Sequence, residues 1–224
     1  MEEERERDRL YLMDIYLLRH GETNWNKEGL LQGHTDISLN ENGRLQVGDT
    51  VKKLSGLGLR MDYIVSSPLK RALESAQIAA CGLNYSKERI VVEEQLIERG
   101  FGEGEGLSIE ERAAKYPDCD YPGMESQEDL IKRAGEAFWK IVKHCQGAEN
   151  ILLVAHGAIL FALLEAVAKK PIPHGGRAAA LTQGSIYRVR YEERGISFAG
   201  YEEKAGAFVE MDEAELGKLA KVYM

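Results

Sequence analysis

The chain has 224 residues, 44% of them hydrophobic, and a formal net charge of -8. This length is sufficient for one domain with a sizeable core, and we expect that domain to span residues 1–224. The acidic balance excludes the broad basic surface that a nucleic-acid partner requires. A small anionic substrate stays compatible, because a pocket can be locally positive on an acidic protein.

The chain carries no signal for export or membrane insertion. Residues 1–10, MEEERERDRL, are a charge run without the apolar core of a signal peptide, which predicts a solvated, frayed lead-in. The apolar stretch over residues 151–168 is interrupted by His156, Gly157 and Glu165, so it lacks the roughly 20 apolar residues of a membrane span. The three cysteines lie far apart and form no CxxC pair, which indicates neither a disulfide framework nor a zinc knuckle and favours a reducing compartment. We expect a cytoplasmic protein with no membrane partner.

Short apolar runs alternate with helical patterns, which is typical of a largely parallel sheet whose strands are joined by helical crossovers. The first predicted strand is DIYLLRH, residues 14–20. A helix is predicted to follow with Asn40 as its N-cap and with Leu45, Val51 and Leu54 facing the core.

The middle of the chain continues this alternation. MDYIVSS predicts a strand, and Ser67 and Pro68 are expected as the cap and first position of the next helix. RIVVEEQLIE, residues 89–98, predicts another strand, and helices are predicted over residues 108–116 and 126–144. The glycine-rich and acidic region over residues 100–126 is the candidate for a flap over a site.

The last third begins with ILLVAHG, the clearest strand pattern of the chain. SIYRVRYEE and GISFAGYEE predict an antiparallel hairpin at one edge of the sheet, and DEAELGKLAKVY predicts a closing helix. An exposed edge hairpin can pair with a second copy, so a homo-oligomer is left open.

Polar side chains are concentrated at the predicted strand ends. Arg19 and His20 end one strand, His156 ends another, and Glu98 closes a third. Arg71 lies in the first turn of a helix, whose terminal amides favour anions. Ligands of parallel α/β sheets bind outside the carboxyl ends of the strands. The sequence therefore predicts an anion site that contains reactive groups.

A metal site is the alternative interpretation of the same residues. His20, Glu22 and His156 could form one, but no HxH or HExxH spacing supports it. We expect neither a metal nor a cofactor.

Four ordered motifs resemble those of the histidine phosphatase superfamily, which includes the cofactor-dependent phosphoglycerate mutases. They are RHGETNWN with LLQGHTDISLNENGR, then SSPLKRALESA, LIERGFGEGEG and VAHGAIL, and they extend over residues 15–161. The resemblance implies a three-layer α/β/α sandwich with a mostly parallel mixed sheet, of the phosphoglycerate mutase-like fold.

The resemblance also implies a role for each site residue. His20 is the nucleophile that accepts the phosphoryl group, while Arg19, Arg71 and His156 bind its oxygens and Glu98 donates and accepts the proton. Asn26, Gln32 and Gly33 match pocket-lining positions, and the amide of Gly157 adds a phosphate hydrogen bond. Two nearby arginines disfavour a charged imidazole, which keeps the lone pair of His20 available. Gly21 is expected to allow a tight turn.

Three functions remain open. The segment GFGEGEGLSIEERAAKYPDCDYPGMES is short and acidic and lacks a WRRS-like stretch, which favours a metal-independent phosphomonoesterase acting on a small phosphorylated metabolite through phospho-His20. The alternative is a 2,3-bisphosphoglycerate-dependent phosphoglycerate mutase. The third is a catalytically idle binding module. Tyr116, Tyr121, Met124 and Glu125 are flap residues that could shape specificity, and an acidic rim would disfavour highly charged polyphosphates.

Overall fold

The structure is a computed structural model that describes residues 12–169, 171–172, 179–192, 195–212, 215 and 221–222. The charged lead-in over residues 1–10 lies outside the described residues, and the single domain over residues 1–224 stays a prediction. The strands are β1 (Met13–Arg19), β2 (Tyr63–Ser66), β3 (Val91–Val92), β4 (Asn150–Ala155), β5 (Ala179–Ala180), β6 (Ile186–Glu192), β7 (Gly195–Glu202), β8 (Ala207–Met211) and β9 (Lys221–Val222).

Helices connect most of these strands. They are α1 (Asn24–Glu28), α2 (Glu41–Gly56), α3 (Lys70–Gly82), α4 (Ile109–Lys115), α5 (Gln127–His144) and α6 (Gly157–Ala168), with short 3-10 turns at Lys87–Arg89, Glu94–Leu96 and Gly102–Gly104. In the part of the chain that the structure describes, no helix is both long and apolar enough to cross a membrane.

Seven strands form one mixed sheet in the order β3-β2-β4-β1-β6-β7-β8. The pairs β3·β2, β2·β4 and β4·β1 are parallel, whereas β1·β6, β6·β7 and β7·β8 are antiparallel. The predicted hairpin is confirmed as β6 and β7, but its position was wrong. Because β6 pairs with β1 and β7 pairs with β8, the edge strand on this side of the sheet is β8, a short strand that the sequence did not reveal.

Helices cover both faces of the sheet, which confirms the three-layer α/β/α architecture. The side chains of β1 alternate between the two faces, as the period of a strand requires. Ile15 and Leu17 pack in the core formed with α5 and α6, and Tyr16 and Leu18 pack in the core formed with α2 and α3.

The caps and helix boundaries agree in part with the sequence. Asn40 caps α2 as expected, its side chain accepting from the Gly43 amide. Leu45 is 68% exposed, so its predicted inward position was wrong, and the fully buried Val47 packs in the core instead. The start of α3 was also predicted wrongly, because Leu69 rather than Ser67 is the N-cap residue.

Two further predictions differ from the structure. The strand predicted over residues 89–98 is limited to Val91–Val92, and a 3-10 turn follows at Glu94–Leu96. The closing helix lies mainly outside the described residues, but at Lys221–Val222 the prediction was wrong, because these residues pair as a strand with Ala179–Ala180. The helices over residues 108–116 and 126–144 are confirmed as α4 and α5.

Two glycines allow the loop after β1 to contact the first turn of α2. A Cβ on Gly21 would lie 2.2 Å from the Gly43 carbonyl oxygen, and a Cβ on Gly43 would lie 2.1 Å from the Glu22 carbonyl oxygen. Gly21 does not adopt a positive φ. The contact between the two backbones, rather than the expected tight turn, therefore requires glycine beside His20.

We predict that Gly43→Ala lowers the free energy of unfolding by about 1–3 kcal/mol, because the added methyl group collides with backbone that cannot move freely. Gly48→Ala, in the same helix, is the matched control. No atom lies within 4 Å of a Cβ at Gly48, so this substitution should stabilise the protein by about 0.5–1 kcal/mol through helix propensity. Urea unfolding of both variants measures the difference, and equal stabilities would contradict this account.

Candidate active site

A cavity of about 380 Å³ lies at the carboxyl end of β1. Seven of the nine residues predicted for the site contribute to its wall: Arg19, His20, Asn26, Gln32, Gly33, Arg71 and Glu98. His156 and Gly157 are not part of the wall, although His156 contacts the side chain of Arg71. The fold thus brings together residues that are as much as 79 positions apart in the chain.

His20 is held as a neutral imidazole with a defined tautomer. Its Nδ1 lies 2.7 Å from the Gly21 carbonyl oxygen, which can only accept a hydrogen bond. Nδ1 therefore carries the proton, and Nε2 keeps a lone pair. Burial, followed by the charges of Arg71 and Arg19, holds the pKa of His20 well below its usual value. A neutral imidazole with a lone pair on Nε2 has the chemistry that nucleophilic attack requires.

Arg71 is bound by the protein on three of its guanidinium nitrogens. Nη1 donates to the Thr35 carbonyl and Nη2 to the Gly33 carbonyl, both at 2.8 Å, and Nε donates to Nδ1 of His156 at 3.1 Å. Burial is the main cause that lowers its pKa, to about 10, and the carboxylate of Glu98 opposes this shift. Arg71 is therefore still a cation at neutral pH, with a fixed orientation.

His156 lies outside the cavity wall and orients the side chain of Arg71 by a hydrogen bond. Because Nδ1 of His156 accepts from Arg71, the proton of the neutral ring is on Nε2, which lies 2.7 Å from the Ser67 hydroxyl. Burial and the charge of Arg71 lower the pKa of His156 well below its usual value. Its ring packs edge-on against His20, with centroids 5.1 Å apart. Both ring nitrogens contact the protein, so direct contact with a phosphoryl group stays a prediction.

Glu98 is held at the N-terminus of α6. Its Oε1 accepts from the amides of Arg99 and Ile159, at 2.9 and 3.0 Å, and its Oε2 accepts from the Ala158 amide at 3.2 Å. Amides at a helix N-terminus favour such an anion. The sequence had predicted that Glu98 closes a strand, but it follows a 3-10 turn instead. The phosphate bond predicted for the Gly157 amide stays a prediction.

Thr23 orients the two amide side chains of the wall. Its hydroxyl lies 3.0 Å from Oε1 of Gln32 and 3.2 Å from Oδ1 of Asn26, and its backbone N–H also donates to Oδ1 of Asn26. The oxygen ends of both side chains therefore face Thr23. Their NH2 groups remain as donors for substrate oxygens.

Glu105 is a residue that the sequence analysis missed. Its carboxylate accepts from the backbone amides of His34, Thr35 and Phe101. It thereby connects the loop that binds Arg71 to the predicted flap. At Gly33, φ is +53°, and a Cβ would lie 2.0 Å from this carboxylate. The sequence contained a signal for Gly33 but none for Glu105, because a single glutamate in an acidic loop resembles a solvated one.

The flap contributes different residues to the cavity than those expected. Phe101, Ile109 and Arg112 line it, as does Gln183, whereas none of the four candidate specificity residues does. Tyr121 is buried against Phe101. An acidic rim was expected, yet the charged groups of the wall, within the described residues, are three arginines and one glutamate.

Known proteins share the sequence pattern and the fold of this chain. Residues 15–204 match the family pattern of the histidine phosphatase superfamily (branch 1). The chain belongs to this superfamily. The relatives of this histidine phosphatase include the uncharacterized phosphatase PhoE of Bacillus subtilis (strain 168), which is 41% identical over 150 residues, 67% of this chain and 75% of that protein.

Other relatives carry different names. The probable phosphoglycerate mutase GpmB of Salmonella choleraesuis (strain SC-B67) is 31% identical over 223 residues, covering 94% of this chain and 100% of that protein. A solved structure of a mycobacterial glucosyl-3-phosphoglycerate phosphatase with VO3 superposes with a TM-score of 0.69 at 25% identity, over 79% of this chain and 92% of that one. The superfamily thus contains relatives named as phosphatases and as a mutase.

The neutral state of His20 predicts a dependence of stability on pH. In the unfolded chain this histidine gains a proton near pH 6.5, whereas in the folded protein it resists protonation. Its contribution is therefore complete above that pH and is lost as the pH falls, by up to about 1.4 kcal/mol per pH unit. His20→Asn should lose stability less steeply than the wild type between about pH 5 and 6.5. Urea titrations measure both slopes, and identical slopes would show that His20 is not held neutral.

Proposed function

We propose that this histidine phosphatase hydrolyses a small phosphomonoester, without a metal ion, through a phosphohistidine on His20. The observation that carries the proposal is the neutral His20 imidazole, whose Nε2 has a lone pair and which shares one cavity wall with Arg19, Arg71 and Glu98. A phosphoryl group needs chiefly positioning and stabilisation of its spreading charge, which guanidinium groups supply.

The reaction proceeds in two displacements. Glu98 enters the first step protonated. Nε2 of His20 forms a bond to phosphorus as the bond from phosphorus to the ester oxygen breaks, and Glu98 gives that oxygen its proton. Water then attacks the phosphohistidine, Glu98 regains a proton from the water, and the bond between phosphorus and Nε2 breaks to release inorganic phosphate. Proton transfer of this kind contributes about a hundredfold to ten-thousandfold. Arg19 and Arg71 stabilise the equatorial oxygens in both steps.

The mutase is the second candidate function. It is favoured by the match to the probable phosphoglycerate mutase along that protein's whole length. Hydrolysis is favoured by the short segment over residues 100–126 and by the phosphatase name of the Bacillus relative, which is the more similar in sequence. An idle binding module is disfavoured, because seven predicted site residues meet in one cavity wall.

We also propose a cytoplasmic location and a small phosphorylated molecule as the ligand, with neither nucleic acid nor membrane as a partner. The net charge of -8 supports the absence of a nucleic-acid partner. Self-association through the exposed edge strand β8 is compatible with this function.

Phosphorus NMR of 3-phosphoglycerate with the chelator-treated protein and a trace of 2,3-bisphosphoglycerate distinguishes the two reactions. We expect the signal of inorganic phosphate to grow. A 3-phosphoglycerate signal that does not change, while the protein hydrolyses an aryl phosphate in a parallel sample, would also indicate a phosphatase. Growth of 2-phosphoglycerate would establish the mutase instead, and a strict loss of activity with chelator would restore the metal interpretation.

We predict that His20→Ala abolishes hydrolysis of an aryl phosphate while the circular dichroism spectrum stays that of the wild type, because the variant loses the nucleophile but no member of the hydrophobic cores on the two faces of the sheet. The matched control is His144→Ala, which removes an exposed histidine at the end of α5 that does not line the cavity. Full activity in a folded His20→Ala variant would show that His20 is not the nucleophile.

A further inference from the structure

Arg112 is a third buried arginine in the cavity wall. It lies on α4, is 4% exposed, and lines the same cavity as Arg19 and Arg71. The first turn of α4 is fixed by a capping box, in which the Ser108 side chain accepts from the Glu111 amide and the Glu111 side chain accepts from the Ser108 amide. The flap therefore presents Arg112 from a defined helix rather than from an irregular loop.

The guanidinium of Arg112 differs from that of Arg71 in its partners. Nε of Arg112 is buried and has no hydrogen-bond partner among the residues that the structure describes. Within that part of the chain, none of the ion pairs between a carboxylate and a basic side chain includes Arg112. Arg71 by contrast donates to three acceptors. A buried cation without a counter-charge is costly, so an anion in the cavity would compensate the charge of Arg112.

Arg112 is also distinct from the group that surrounds the nucleophile. The guanidinium groups that act on the pKa of His20 are those of Arg71 and Arg19. Arg19 extends from the end of β1 and Arg71 from the first turn of α3, whereas Arg112 extends from the flap. The cavity thus has two cationic regions, one formed by Arg19 and Arg71 and the other by Arg112. Leu31 and Phe101 contribute apolar surface to the same wall.

We propose that Arg112 binds a second anionic group of the substrate, a carboxylate or a second phosphate. The proposal rests on the proposed function, in which the first anionic group is the phosphoryl group transferred to His20. It assigns a specificity-determining role to a residue of the flap, and it favours small phosphomonoesters with two separated anionic groups, in contrast to the acidic rim expected from the sequence.

Calorimetric binding of phosphonates tests the proposal independently of turnover. The ligands are phosphonocarboxylates of increasing chain length, the corresponding bisphosphonates, and alkyl phosphonates that lack the second anion. At one chain length, the wild type should bind a doubly anionic ligand about tenfold to a hundredfold more tightly than its singly anionic counterpart, the gain of a charge-assisted hydrogen bond. The preferred class shows whether the second anion is a carboxylate or a phosphate.

Variants of α4 complete the test. Arg112→Gln should remove the preference for the second anion, and Arg112→Lys should retain part of it. Lys115→Gln changes the net charge equally on the same helix, but Lys115 is exposed and pairs with Glu103 outside the cavity, so this variant should keep the full preference.

Equal binding of both ligand classes by the wild type would overturn the proposal, as would a preference that survives in Arg112→Gln. If Arg112→Gln does not fold, a reduced preference in folded Arg112→Lys supports the proposal and an undiminished preference contradicts it. Hydrolysis of an aryl phosphate by the wild type tests the proposed function separately, because the binding measurements require no turnover.

Discussion

The buried charge of Arg71 is the constraint on which the arrangement of the site depends. Its side chain is 1% exposed, yet with a pKa of about 10 it stays charged at neutral pH. A buried cation must be compensated by hydrogen bonds, and the carbonyls of Gly33 and Thr35 and the ring of His156 supply them. One guanidinium therefore fixes the loop that contains Gly33 and Thr35, and the ring of His156, relative to helix α3, which carries Arg71.

This charge also contributes to the protonation state of the histidines. Burial is the main cause that lowers the pKa of both His20 and His156, and the charge of Arg71 is the second. In the proposed function, the same electrostatic environment attracts a phosphoryl group and preserves the lone pair that attacks it. The carboxylate of Glu98 is secured by backbone amides at the start of α6, so Glu98 and His20 are held by separate elements that meet at one cavity.

Much of the site could be predicted because its residues follow local rules. Arg19 and His20 end a continuous apolar strand, and the four ordered motifs carry the resemblance to the superfamily. The remaining features depend on contacts between distant segments. Arg112 stands in a charged helix pattern that gives no sign of its burial, which follows only from how the flap packs. The edge strand β8 was missed for a similar reason, since its pairing with β7 is not encoded in a strong local pattern.

Nitrogen NMR of isotope-labelled histidine in the intact protein tests whether His20 is a neutral imidazole protonated on Nδ1, the state on which the proposed chemistry depends. We predict that, at about pH 6, the His20 resonances, assigned by their loss in His20→Asn, show a protonated Nδ1 and an unprotonated Nε2. An imidazolium with protons on both nitrogens, or a proton on Nε2 alone, would contradict the account, because His20 would then lack the lone pair that attacks phosphorus.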